Sequence, residues 1–214
     1  MNSLKVVGLR ETKKDATRRA LAAATLRIVT DRGFEAATAD AVSAEVGVSP
    51  RTFHNYFASK EDALSFYIEQ IAERLLAALE EVTPGAPLIG AMEDALASIA
   101  CSSGERPAEL LTLLRLIETE PSMTAHCRGG QDEAGIDERF EALVARHVAA
   151  SPVRDALYPR LVVNVGVVAA RTALEVWTDR NPTGVQLRTV IRRAFAQLAF
   201  GLAAPPTADA AVPD

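Results

Sequence analysis

The sequence predicts an all-α chain of about nine helices, the first three forming an N-terminal unit and the remainder a longer helical body. Three observations carry this. Apolar residues recur at three- and four-residue spacing through most of the chain, the period of a helix with one buried face. No segment alternates apolar and polar long enough to argue a sheet, and there are no internal repeats. Glycine and proline clusters fall between the periodic segments, where helices must stop. At 214 residues the chain is long enough for one or two domains with a sizeable core.

The first helix is expected over residues 12–32, with Ala16, Ala20, Ala24 and Ile28 as an apolar stripe. Thr38 offers a side-chain oxygen where the second helix starts, and Ala41, Val42 and Val46 recur at helical spacing behind it. Gly47 is the residue best able to leave that helix with positive φ, and Val48 buries the corner. Ser49 caps the third helix, and Pro50 fits its first position, where no amide hydrogen bond is lost. Phe53 and Phe57 share a face at i and i+4, with Tyr56 beside them.

The fourth helix runs from residue 61 to residue 82, until Pro84-Gly85-Ala86-Pro87 breaks it. A fifth spans residues 88–102 and is followed by Ser103-Gly104. Pro107 opens a sixth that ends before Pro121, and Gly129-Gly130 marks a loop. Ile136, Phe140, Leu143, Val144, His147 and Val148 trace the seventh. Ser151-Pro152 starts the next, and Asn181-Pro182-Thr183-Gly184 separates it from the last. Residues 204–214 are rich in Ala and Pro with little to bury, which predicts a disordered tail.

Residues 38–57 therefore read as two short helices meeting at one sharp turn, a helix-turn-helix. With Phe53 packed inward, the opposite face of the third helix is free and carries Arg51 and Asn55, flanked by Thr52 and His54. Arg and Asn have forked donors and acceptors that match guanine and adenine edges in the major groove. The arrangement implies a DNA-reading surface.

The residues also match a named pattern. Asp31-Arg32-Gly33-Phe34, Thr38, Val42, Gly47-Val48-Ser49, Arg51-Thr52-Phe53 and the closing YFASKEDAL of residues 56–64 resemble the TetR family of bacterial one-component regulators. The resemblance covers roughly residues 12–72, the expected DNA-binding domain; residues 73–203 are then an effector-binding and dimerisation domain. Ala37 and Ser43 stand where many members carry Thr and Ala, and His54 where an aromatic is common. By resemblance, Pro50, Arg51, Thr52 and His54 approach base edges, while Thr38, Ser49, Asn55, Tyr56 and Lys60 hold phosphates. Asn55 stays ambiguous, because the helical wheel places it beside Arg51 for base reading.

Net charge divides along the same line. Residues 1–60 hold ten Lys/Arg against six Asp/Glu, a net +4, whereas residues 61–214 hold thirteen against twenty-two, a net −9. Arg10, Lys13, Lys14, Arg18 and Arg19 cluster before and along the first helix. Lys13 and Lys14 are expected at phosphates, where they would strengthen binding and its salt dependence without reading sequence.

The late helices imply a partner. Leu161, Val162, Val165, Val168, Ala169, Thr172, Ala173, Val176 and Trp177 form a broad apolar stripe, with Gly166 and Ala170 leaving room for close approach. The last helix offers Leu187, Val190, Ile191, Ala194, Phe195 and Leu198. These residues either complete the monomer core or, as the resemblance implies, pair two copies in a four-helix bundle. A two-fold homodimer would place its recognition helices in successive major grooves of a near-palindromic operator.

The sensed molecule is much less legible. The resemblance implies a small effector inside the C-terminal helices, and Arg115, Asn164 and Trp177 are the polar or aromatic candidates to line such a pocket. The segment LLRLIETEPSMTAH, with Trp177 on a late helix, loosely resembles regulators of actinobacterial type, some of which bind acyl-CoA thioesters. Bland readings stand beside these: an Arg115–Glu118 surface pair and Trp177 as core. The expected mechanism is repression released when the effector favours a dimer with wrongly spaced recognition helices, through movement of the fourth helix.

Other classes are excluded or disfavoured. There is no Glu-x-x-His pair, phosphate-binding glycine loop or Gly-x-Ser-x-Gly elbow, and the three histidines His54, His126 and His147 are scattered. No catalytic residue, metal site or cofactor is therefore expected. No membrane-spanning run and no secretory leader are visible, and Cys101 and Cys127 could pair only once, so the expected address is the cytoplasm. The alternative is a ligand-binding helical carrier on the same fold without specific DNA recognition.

Overall fold

The computed structural model describes residues 9–83, 88–101, 106–129, 139–140, 142–143, 157–180 and 185–202. Most of the expected seventh helix, the Ser151-Pro152 start, the Asn181–Gly184 stop and the tail of residues 204–214 lie outside them. The described residues hold nine labelled α-helices and one 3-10 turn: α1 Leu9–Arg32, the turn Phe34–Ala36, α2 Ala39–Val46, α3 Pro50–His54, α4 Lys60–Glu80, α5 Leu88–Ala100, α6 Pro107–Thr119, α7 Pro121–Gly129, α8 Leu157–Arg180 and α9 Leu187–Ala199. Residues 139–140 and 142–143 are helical as well. The all-α expectation is met.

The chain falls into two compact units, Met1–Gln70 with Leu116–Arg128, and Ile71–Arg115 with Gly129–Asp214. The boundaries fall inside α4, inside α6 and at the last residue of α7. In the first unit, α1 buries Leu21, Ala24, Ile28 and Val29. Ala16 and Ala20 are exposed, so the expected alanine stripe holds only in its second half. Leu21 and Leu26 supply larger apolar groups, and burial follows them. Thr25, also buried, returns its hydroxyl to the Leu21 carbonyl at 2.9 Å, so it costs no unmet hydrogen bond.

α7 falls on residues 121–129, to which the sequence assigned no element between the end of the sixth helix and the Gly129-Gly130 loop. Pro121 ends α6 and occupies the first position of α7, where its missing N–H is harmless. Thr124 ties the junction, donating its hydroxyl to the carbonyls of Ile117 at 2.7 Å and Glu120 at 3.2 Å.

The core of the second unit joins the later part of α4 to α5, α6, α8 and α9 through Leu79, Met92, Leu111, Ala173, Ile191 and Phe195. Gly166 of α8 lies close against Met92 of α5: a Cβ there would meet the Met92 methyl at 2.8 Å, so that methyl would have to shift. The broad stripe foreseen on α8 splits in two. Val162, Ala169 and Ala173 are buried in the monomer, whereas Leu161, Val168, Thr172 and Val176 face outward. Over Leu161–Asp179 the mean hydropathy of 1.3 makes α8 long and apolar enough to cross a membrane by length and composition. Within that segment, however, Arg171 reaches Glu175 at 3.9 Å and one face belongs to the core.

Candidate nucleic-acid interface

The turn between α2 and α3 is built by backbone chemistry that the sequence specifies residue by residue. Thr38 accepts a hydrogen bond from the Ala41 N–H at 3.2 Å and caps α2. Gly47 takes the left-handed conformation, φ 74°, at the far end. Two hydrogen bonds then close the helix, Gly47 N–H to Ala44 O at 3.3 Å and Val48 N–H to Ser43 O at 2.9 Å. This is the paired closure expected when glycine follows a helix. Ser49 accepts from the Thr52 N–H at 3.1 Å and Pro50 opens α3. Direction is fixed over four residues.

α3 is anchored from below by rings. Phe53 and Phe57 are buried with centroids 5.9 Å apart, and Phe66 of α4 lies 5.8 Å from Phe57. The Arg18 guanidinium sits 4.1 Å over Phe66 and 5.5 Å over Phe57. Of the basic cluster on α1, it is therefore engaged with aromatic faces. Arg27 reaches Glu45 at 2.9 Å and ties α1 to α2. α4 starts from a reciprocal cap: Ser59 Oγ accepts from the Asp62 N–H at 3.2 Å, and Asp62 accepts from the Ala58 N–H at 2.8 Å.

With Phe53 buried, Pro50, Arg51, His54 and Asn55 are exposed, and Thr52 and Tyr56 are half-buried. His54 stands edge-on to Phe53 at 5.5 Å, so its ring is partly steadied. Asn55 ends α3, its N–H bonded to Arg51 O at 3.1 Å. The Thr52 hydroxyl lies 2.9 Å from that of Ser49. Lys13 and Lys14 are exposed on α1; the Arg10 side chain lies outside the described residues. Thus one face presents an Arg, an Asn and a His on a rigid two-helix platform.

Lys60 is placed differently from its neighbours. Its ammonium donates to the Phe34 carbonyl at 3.0 Å, pairs with Glu35 at 3.3 Å and lies 3.9 Å over the Phe34 ring. Only 19% of its side chain is exposed, against 91% for Glu35. Sequence reasoning missed Phe34 and Glu35 as its partners, because they are 26 and 25 residues away and only the fold joins them.

Residues 21–64 match the bacterial regulatory proteins of the tetR family, and residues 86–203 match the MftR C-terminal domain. The chain belongs to the tetR family. It is accordingly a DNA-binding transcriptional regulator. It is 30% identical over 194 residues to the HTH-type transcriptional regulator TcmR of Streptomyces glaucescens, covering 86% of this chain and 82% of that protein.

Solved structures agree on the fold. The fatty acid degradation regulator FadR of Bacillus halodurans superposes with a TM-score of 0.61 at 14% identity, covering 87% of this chain and 96% of that one. FadR of Bacillus subtilis in complex with stearoyl-CoA gives 0.60 at 15% identity, covering 85% and 97%. A transcriptional regulator from Rhodococcus sp. Rha1 gives 0.55 at 18% identity, covering 86% and 97%.

The three candidate pocket residues of this tetR-family chain are not brought together. Arg115 directs its Nε toward Glu175 of α8, 3.9 Å away. Trp177 is half-buried and donates its indole N–H to Val185 O at 3.0 Å. Asn164 is exposed, thirteen residues before Trp177 and so ~20 Å away along α8. An open groove of about 540 Å³ lies instead along Ala78, Val82, Gly90 and Ala91, edged by the carboxylates of Glu81 and Asp94. Among the described residues, no group of three His, Cys, Asp or Glu side chains could hold a metal ion, and Cys101 is a free, exposed thiol.

Proposed function

We propose that this regulator is a ligand-responsive repressor that binds a near-palindromic operator as a homodimer and is released by a small hydrophobic effector. The observation that carries the DNA half is the exposure of Arg51 on an α3 whose start is capped and whose underside is locked by Phe53 and Phe57. Such a side chain reaches base edges without first paying to order its backbone. Pro50, Thr52 and His54 flank it as further base contacts. Thr38, Ser49, Asn55, Tyr56, Lys13 and Lys14 are assigned to phosphates, with Lys60 as a special case below. The two hydroxyls of Ser49 and Thr52 hold two hydrogens and spend one on each other, which leaves one to donate outward.

The homodimer is supported by the outer face of α8. Leu157, Leu161, Val168 and Val176 are each at least 40% exposed and share one face with Asn164 and Thr172. Apolar side chains in an uncharged row of this length favour burial against a second copy of themselves. The effector is proposed by class. The likeness of fold to a regulator that holds stearoyl-CoA supports an acyl-CoA or similar apolar molecule. The carboxylates of Glu81 and Asp94 would repel an anionic head group, so the groove beside α5 is not assigned to it. A cytoplasmic address fits a regulator of DNA.

Arg51→Ala tests the base-reading assignment. It should cost ~1–3 kcal/mol on the selected operator and little on random duplex, because a bidentate base contact is what is lost. Lys13→Ala with Lys14→Ala should weaken both kinds of DNA alike and flatten the salt dependence. Equal losses on both DNAs for Arg51→Ala would refute the assignment.

A further inference from the structure

We propose that Glu35 occupies the place of a DNA phosphate at Lys60 and restrains that lysine from contacting DNA. An ammonium has three N–H donors. The Lys60 nitrogen lies 3.0 Å from the Phe34 carbonyl, 3.3 Å from the Glu35 carboxylate and 3.9 Å from the Phe34 ring centroid. Three groups of the protein thus surround the ammonium. The carbonyl belongs to the 3-10 turn and the ring to the residue that starts it, so both are fixed. Glu35 is the one mobile partner, with its side chain 91% exposed on a flexible stem.

A phosphate reaching Lys60 must therefore displace Glu35, and the displaced carboxylate then draws a cation back from solution. The contact becomes an exchange of anions instead of a new ion pair. Glu35 in this way lowers affinity for all DNA and flattens its salt dependence, without touching sequence preference. The inference rests on the DNA-binding reading above and adds to it a residue that lowers affinity.

The test is a fluorescence polarisation titration of a random-sequence duplex across a salt series, using the full chain. Glu35→Gln should bind several-fold more tightly at low salt and steepen the slope of log K against log salt by roughly 0.9, the value for one added phosphate contact. On a Lys60→Met background the same change should have no effect. An unchanged titration for Glu35→Gln, or an equal gain with Met at position 60, would overturn the proposal, the latter by showing general charge repulsion. If Lys60→Met does not fold, the 15N resonance of the Lys60 ammonium decides. DNA must move it more in Glu35→Gln than in the parent, and equal movement overturns the proposal. A parent protein that shows no salt-dependent binding would instead remove the DNA reading itself.

Discussion

The hydroxyl of Ser49 lies 2.9 Å from that of Thr52 while also accepting the Thr52 N–H at 3.1 Å. One side chain thus both starts α3 and orients a residue assigned to the DNA. Ser49→Ala removes both contacts. Stability should fall by ~1 kcal/mol, the usual cost of a lost N-terminal cap. Urea denaturation measures that loss, and operator affinity should fall with it as Thr52 is released.

Two glycines should behave differently when replaced by alanine. Gly47 has nothing within 4 Å of an added Cβ, but its φ of 74° strains any other residue, so Gly47→Ala should cost ~1–2 kcal/mol. Gly166 has the opposite problem. Its added Cβ would meet the Met92 methyl at 2.8 Å, the far end of a flexible side chain that can shift. Helix propensity also returns ~1 kcal/mol there. Thermal melting should place Gly47→Ala clearly below Gly166→Ala, and the reverse order would show that packing against α5 is stiffer than argued.

Glu93 of α5 has its carboxyl raised above the ordinary range, first by burial, then by neighbouring Asp94, with Arg192 opposing at 3.9 Å. A raised folded value means that the native state holds the proton more tightly than the unfolded chain. Its contribution to stability is therefore present below the unfolded value and is lost as pH rises through the folded one. Glu93→Gln should gain stability relative to the parent at about pH 7 and less at about pH 4. Denaturation curves that shift in parallel at both pH values would contradict this.

The outer row of α8 makes a separate prediction. Val168 is 51% exposed in the monomer, so Val168→Asp leaves the core intact. Placed in a two-fold interface, the change would set a charge against its own copy in an apolar seam. Sedimentation should show monomers with normal helix content. Sequence-selective DNA binding should be lost while weak phosphate binding persists. A variant that remains dimeric would place the interface elsewhere.

The helix-turn-helix was legible because each step is local: a cap three residues from its donor, a glycine where φ turns positive, a proline where no N–H is needed. Thr38, Gly47, Ser49 and Pro50 all hold the positions their chemistry required. What sequence could not show depended on distance. The partners of Lys60 lie in a turn before α2, and the Arg18 guanidinium finds rings from α3's edge and α4. The two faces of α8 were indistinguishable because both are apolar; packing against α5 and α9 decided which was buried. The exposed Ala16 and Ala20 show the same limit, since alanine follows helical period without demanding burial.

Selection of genomic DNA fragments by the purified protein at two salt concentrations separates operator readout from simple attraction to phosphates. A single near-palindrome retained at ~0.2 M salt is the predicted result, because base contacts persist where the phosphate contribution fades. Uniform recovery of fragments that collapses as salt rises would contradict it, leaving only a basic surface on the first unit.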